Sequence, residues 1–118
     1  MINNRIFDFE LFSERMMEDE ELMAEVAIAM IEDTPVQIEL LKRLIDEGKF
    51  QDAGRAGHKI KGGASNLCCR ELEEAALMVE HAGKTEDEGK LLASAGKLYE
   101  AWEKLEAVLQ KKWKKGEF

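Results

Sequence analysis

Two side chains in the middle of the chain have types and a spacing that suit chemistry. They are His58 and Lys61, within Asp52-Ala53-Gly54-Arg55-Ala56-Gly57-His58-Lys59-Ile60-Lys61-Gly62-Gly63-Ala64-Ser65-Asn66-Leu67. An imidazole free in water has a pKa of about 6.5, so at pH 7 it is mostly neutral. In that form it is a good nitrogen nucleophile. On a helix, a lysine three residues further on reaches the same face. Such a pair fits phosphoryl transfer, whose transition state needs in-line geometry and positive charge beside its equatorial oxygens. Most His and Lys residues on a polar helix face are merely solvated, so what surrounds these two decides between solvation and chemistry.

The surroundings are glycines. The segment holds four of the chain's nine, Gly54, Gly57, Gly62 and Gly63. Each costs about 1 kcal/mol relative to Ala inside a helix, roughly 4 kcal/mol together, against a typical total stability of about 5–15 kcal/mol. At 100° per residue, Ala53, Ile60, Ala64 and Leu67 form the buried stripe. Measured from Ile60, His58 lies at about 160°, Ser65 at about 140°, Gly54 at about 120°, Lys61 at about 100° and Gly62 at about 200°. Gly57 and Gly63 fall toward the core side, where small residues admit a neighbouring helix. Gly54 and Gly62 are expected on the outer face, one turn before and after His58. This leaves a bare imidazole that another protein can approach closely. An exposed nucleophile without a pocket suits a substrate presented by a partner. No strand-linked Gly-rich phosphate loop is present, so the chain is expected to have no ATP site of its own and to be no enzyme by itself.

Six helical segments are expected to position these residues. The first runs from about Asp8, a plausible N-cap, to Met17, with Phe9 and Phe12 apolar. The second runs from about Asp19 to Glu32, with Leu22, Val26, Ala29 and Met30 as its stripe. The third opens at Thr34-Pro35, a cap followed by Pro in the first turn. It carries Ile38, Leu41, Leu44 and Ile45 and stops at Gly48; one long bent rod is the alternative for these two. The fourth runs from Phe50 or Asp52 to Leu67, and the fifth from Arg70 to His81, ending at Gly83. The sixth starts near Thr85 or Glu86 and reaches about Trp113, with a seam of Leu91, Ala95, Leu98, Trp102, Leu105 and Leu109. Short connections force neighbouring helices antiparallel. The expected fold is all-α: an antiparallel four-helix bundle, core about 19–113, with a short N-terminal capping helix, in one domain over residues 1–118.

Composition narrows the function classes. With 118 residues, one Pro and a net charge of −8, the chain suits helices and not a nucleic-acid binder. The end is locally basic, with Lys111, Lys112, Lys114 and Lys115 against Glu117. That tail reads as a solvated helix terminus, where cations favour the dipole's negative pole. There is no apolar run of roughly 20 residues, and Met1-Ile2-Asn3-Asn4-Arg5 lacks a signal-peptide core, so no membrane contact and a cytoplasmic location are expected. Adjacent Cys68 and Cys69 cannot staple distant segments and fit a reducing compartment. Together with His58 and His81 they lack the spacing of a structural zinc site, and burial at a helix end is expected instead. Met16, Met17, Phe9 and Phe12 read either as a docking patch beside His58 or, for the Phe pair, as core.

The run His58-Lys59-Ile60-Lys61-Gly62-Gly63-Ala64-Ser65-Asn66-Leu67 resembles the signature of histidine phosphotransfer (HPt) domains, His-x-(Leu/Ile)-Lys-Gly followed by small residues and Asn-Leu/Ile. Asp8 to Phe12 looks like that family's opening helix, and Asp19 through Pro35 like its second and third helices. Gly48-Lys49-Phe50 matches the break before the His helix, and Val79-Glu80 the Leu-Glu of the next helix. The resemblance implies a monomeric relay protein of two-component signalling. His58 would accept a phosphoryl group from a receiver-domain phospho-aspartate and pass it to a response regulator. Lys61 would steady the phosphoryl oxygens and Gly62 would give clearance. Lys59, Gly62, Ser65 and Gly54 would form the receiver-docking surface, Lys59 by steering an acidic pocket. The implied partners are receiver domains and a sensor or hybrid histidine kinase. No cofactor is implied for the chain itself, Mg²⁺ belonging to the receiver.

Three positions depart from the family pattern. Cys68 stands where a helix-closing Gly is usual, and Gly57 where Ala is usual. In place of a Gln from the following helix, Glu80 and His81 lie near the expected spot, and a carboxylate there is expected to repel phosphate. Two other classes compete: a helical adaptor that binds a kinase or receiver without transfer, and a metal or haem four-helix protein, which would need inward His and Glu ligands.

Overall fold

Helix starts follow the acidic caps. Asp8, Asp19 and Asp87 each accept a hydrogen bond from a backbone N–H in the first turn, those of Leu11, Leu22 and Lys90, at 3.0–3.1 Å, which satisfies donors the helix cannot. A computed structural model of the chain describes residues 3–113. Its five helices are α1 (Phe9–Arg15), α2 (Glu20–Asp46), α3 (Phe50–Asn66), α4 (Arg70–Lys84) and α5 (Glu88–Lys112), with no strand among the described residues. Lys114, Lys115 and Glu117 of the basic tail lie outside them.

All four short connections close the same way. After α1, α2, α3 and α4, a residue in the left-handed region lets two successive N–H groups return to the last turn. Of the five left-handed residues in these links only Gly48 is glycine; the others are Met17 and Glu18 after α1, Cys68 after α3 and Glu86 after α4, at φ of 56°, 59°, 60° and 54°. Cys68 thus adopts the conformation for which glycine is usual. The chain accepts the cost of a Cβ in the left-handed region, about 1–2 kcal/mol, and buries the Cys68 side chain.

Two expectations about helix ends are corrected. Thr34-Pro35 does not open a helix, because α2 runs unbroken through Pro35. An interior Pro costs about 3 kcal/mol. Ile31 and Ile38 on either side are buried, and each returns about 1.5–3 kcal/mol, enough to carry the helix through. The alternative of one rod holds, and the helices number five and not six. Gly83 does not stop α4 either: the helix continues to Lys84, and Glu86 makes the turn. The stripe on α2 is also shifted. Met23, Ala27, Met30, Ile31, Thr34, Ile38 and Leu41 are buried, while Leu22 and Ala29 are exposed and Val26 half-buried. The α5 seam from Leu91 to Leu109 is buried as expected.

The four long helices form a ring in which α3 packs on α2 and α4, and α5 closes it against α4 and α2. At 27 residues α2 is about 40 Å long, the full long dimension of the 41 × 25 × 21 Å molecule. It therefore overshoots α3, and α1 covers the open end. There Phe7, Phe12 and Trp113 pack with ring centroids 5.7–6.1 Å apart. Phe12 is fully buried and Phe9 lies against Trp113 with the Lys112 ammonium over its ring. The Phe pair is therefore end-cap core and not a docking patch; Met17 alone of the four is fully exposed. No described helix is long and apolar enough to cross a membrane.

The closest helix pair is α3 with α4, and glycines set its spacing. A Cβ at Gly83 would stand 2.6 Å from Gly54 Cα and from Phe50 O, and one at Gly57 would stand 2.7 Å from Val79 Cγ1. Gly54 is buried against Gly83 and Glu80 O, which corrects its expected place on the solvent face. Gly83→Ala is expected to force the two backbones apart and to cost about 3 kcal/mol, the upper end for overpacking, read by urea denaturation. A change within 0.5 kcal/mol, the range of ordinary surface substitutions, would show that the contact is slack.

Candidate functional site

The short link between α3 and α4 makes them antiparallel neighbours, so residues equidistant from it meet. His58 and Glu80 are each eleven residues from Cys69, and the glycine contact brings them within bonding range. His58 Nδ1 lies 2.7 Å from Glu80 Oε2, and Lys61 Nζ donates to Glu80 Oε1, also at 2.7 Å. One carboxylate therefore joins the two residues the sequence singles out.

The three groups differ in exposure. The His58 side chain is 64% exposed, Lys61 26% and Glu80 12%. A carboxylate so far from water needs donors for its oxygens, and both bonds supply them. The Lys61 ammonium first, and then the His58 ring, hold the Glu80 carboxyl below its ordinary value of 4.5 against the opposing effect of burial. An ionised carboxylate only accepts hydrogen bonds. This assigns the ring proton to Nδ1 and leaves the Nε2 lone pair free, on the edge of the ring away from Glu80. The carboxylate that was expected to repel phosphate is bonded to His58 Nδ1 and to Lys61 Nζ.

The neighbours are as follows. Gly62 is exposed and a Cβ there would meet nothing within 4 Å. Lys59 is exposed and borders a groove between α2 and α3 walled by Val26, Ala29, Met30, Ile60 and Gly63. Ser65 is half-buried, two turns along, and its carbonyl accepts from Arg15 Nη1 at 3.2 Å, so it belongs to the α1 end of the face. His81 points away from His58, into a groove between α4 and α5. Cys68 and Cys69 are buried, and burial pushes both thiols up. Among the described residues no three His, Cys, Asp or Glu side chains gather to hold a metal ion.

Sequence reasoning missed the bonding role of Glu80. The family resemblance placed Glu80 near the imidazole, but that it bonds both His58 and Lys61 follows only from the contact of α3 with α4. Protonating Glu80 removes both of its charge-assisted bonds. Its contribution to stability is therefore complete above pH 4.5 and fades as pH falls through the lowered value in the folded protein. Wild type should exceed Glu80→Gln in urea stability at pH 7, and the gap should narrow as pH falls below 4.5 and close once Glu80 is protonated in the folded protein. A gap independent of pH would separate Glu80 from this coupling.

A family model described as Hpt domain matches residues 25–111, most of the chain and the whole of α3 and α4. No curated protein and no solved structure matched the chain. With a helical bundle carrying an outward imidazole at the matched signature, the chain belongs to the Hpt, or histidine phosphotransfer, domain family of two-component signalling.

Proposed function

We propose that this protein is a phosphorelay intermediate. It takes a phosphoryl group onto His58 Nε2 from a receiver phospho-aspartate and returns it to the aspartate of a response regulator. The observation that carries this reading is the His58–Glu80–Lys61 arrangement, which holds the ring in one tautomer with its nucleophilic nitrogen outward.

The step balances without a proton leaving the ring. The Nε2 lone pair attacks phosphorus, the N–P bond forms, and the P–O bond to the receiver's carboxyl breaks, its electron pair leaving on the carboxylate. The ring, still carrying its Nδ1 proton, becomes a phosphoimidazolium whose charge faces the Glu80 carboxylate. In the return step a receiver carboxylate attacks phosphorus and neutral imidazole leaves. Glu80 acts as a positioning residue in both directions. The Lys61 ammonium exchanges its bond to Glu80 for the equatorial oxygens, where positive charge is most valuable, while the newly charged ring stays paired with the carboxylate. The receiver brings the acyl phosphate and its Mg²⁺.

Docking follows from the same face. Gly62 gives the receiver clearance, Lys59 steers its acidic pocket, and the apolar α2–α3 groove beside Lys59 supplies area. Ser65 marks the far edge of this surface. Gly54, being buried, drops out of it.

Incubation with a cognate phosphorylated receiver should label wild type in an acid-labile form. His58→Gln should take no label, and Lys61→Ala should still fold, less stably because Glu80 loses one of its two donors, and transfer about 10²-fold more slowly, the scale for losing one preorganised charge. Labelled His58→Gln would overturn the assignment, and stable binding of receiver without label would favour the adaptor reading. Gly62 supplies a second test, because its Cβ position is empty. Gly62→Ala should raise stability by about 1 kcal/mol through helix propensity while slowing transfer. Faster or unchanged transfer would show that access at this position is not limiting.

A further inference from the structure

A second surface lies across α4 from His58. Between α4 and α5 runs an open groove whose walls and floor include Leu77, Met78, Ala82 and Ala93. Leu77 and Met78 are 40% and 47% exposed, and they stand together. Isolated exposed apolar residues are ordinary, but a continuous apolar strip bounded by charge marks a contact surface. The groove's two hydroxyls are already bonded, that of Ser94 to the Lys90 and Leu91 carbonyls and that of Thr85 to the His81 and Ala82 carbonyls. The floor therefore asks for no polar ligand.

The rim is cationic in a chain of net charge −8. Lys90 and Lys97 line its α5 side and His81 its α4 side, and no acidic residue lines it. Neither lysine is in an ion pair among the described residues. Seven residues apart on one helix, they stand about 10.5 Å, or two turns, from each other along the same edge. At 100° per residue, Leu77 and His81 lie about 60° and 100° around α4 from Glu80. The groove thus lies on the opposite side of His58 from the α2–α3 face.

We propose that this groove receives an acidic amphipathic helix of a partner protein, with Glu or Asp at positions i and i+7 facing Lys90 and Lys97 and apolar residues at i+3 and i+4 entering between Leu77 and Ala93. A helix laid in an apolar groove is a general recognition mode, and the two-turn lysine spacing sets its register. The carrier is then held on one side while offering His58 to a receiver on the other. The site itself does not depend on the transfer reading; only this use of it does.

The test is an NMR titration of ¹⁵N-labelled full-length protein. The probe is a synthetic 18-residue Ala-rich helical peptide with Glu at i and i+7 and Leu at i+3 and i+4. The control peptide carries Lys in place of both Glu. Shifts confined to residues 77–85 and 90–97, about tenfold weaker binding by the Lys90→Glu/Lys97→Glu variant, as expected for losing two rim charge pairs, and no binding of the control support the proposal. No shifts at millimolar peptide, equal binding of both peptides, or self-association of the protein through the same residues overturns it. Phosphotransfer by the Lys90→Glu/Lys97→Glu protein should be unchanged, so failure of this proposal is distinguishable from failure of the relay reading.

Discussion

The site depends on how closely two backbones approach. Gly54 and Gly83 meet without side chains between them, and Gly57 accepts Val79 in the same way. These contacts draw α4 against α3 over the length of the His helix. At that spacing the short side chain of Glu80 reaches both His58 and Lys61; a wider separation would leave the carboxylate short of its donors. Burying an ionised carboxylate is costly unless its oxygens are paired, so the packing that places Glu80 there also demands the two bonds. Rigid packing is thereby converted into a fixed imidazole orientation, with Nδ1 turned to the carboxylate.

The glycines of α3 consequently divide into two kinds. Gly54 and Gly57 are packing residues, and their helix-propensity cost is offset by close van der Waals contact with α4. Gly62 has no such compensation, since its Cβ position is empty. Its helix-propensity cost of about 1 kcal/mol is therefore not offset by packing. Strain in the left-handed turns at Met17, Cys68 and Glu86 is of a different kind. It allows short links, and short links put α3 and α4 in register so that His58 and Glu80 face each other.

The two grooves flanking the α3–α4 pair differ in character. The one between α2 and α3 runs beside Lys59, whereas the one between α4 and α5 is edged by Lys90 and Lys97. A carrier that hands a group between proteins benefits from surfaces that do not compete. The ring of four helices provides them, because each interhelical furrow faces a different direction.

Much was legible in the amino-acid order alone. The His–Lys–Gly spacing, the Asp8 cap, the α5 seam and the all-helical bundle depend on periodicity and local hydrogen bonding, which neighbouring residues settle among themselves. What local rules could not settle was decided by packing. Burial of Ile31 and Ile38 carried α2 through Pro35, against the residue's own preference. The approach of α4 turned Gly54 from an apparent surface residue into a buried contact, and made Gly83 that contact's partner and not a helix stop. The same approach turned Glu80 from an apparent liability into the group that orients the imidazole. Each of these outcomes depends on atoms more than twenty residues apart in the chain, or on the summed burial of a whole helix face, and neither is written in any single stretch of sequence.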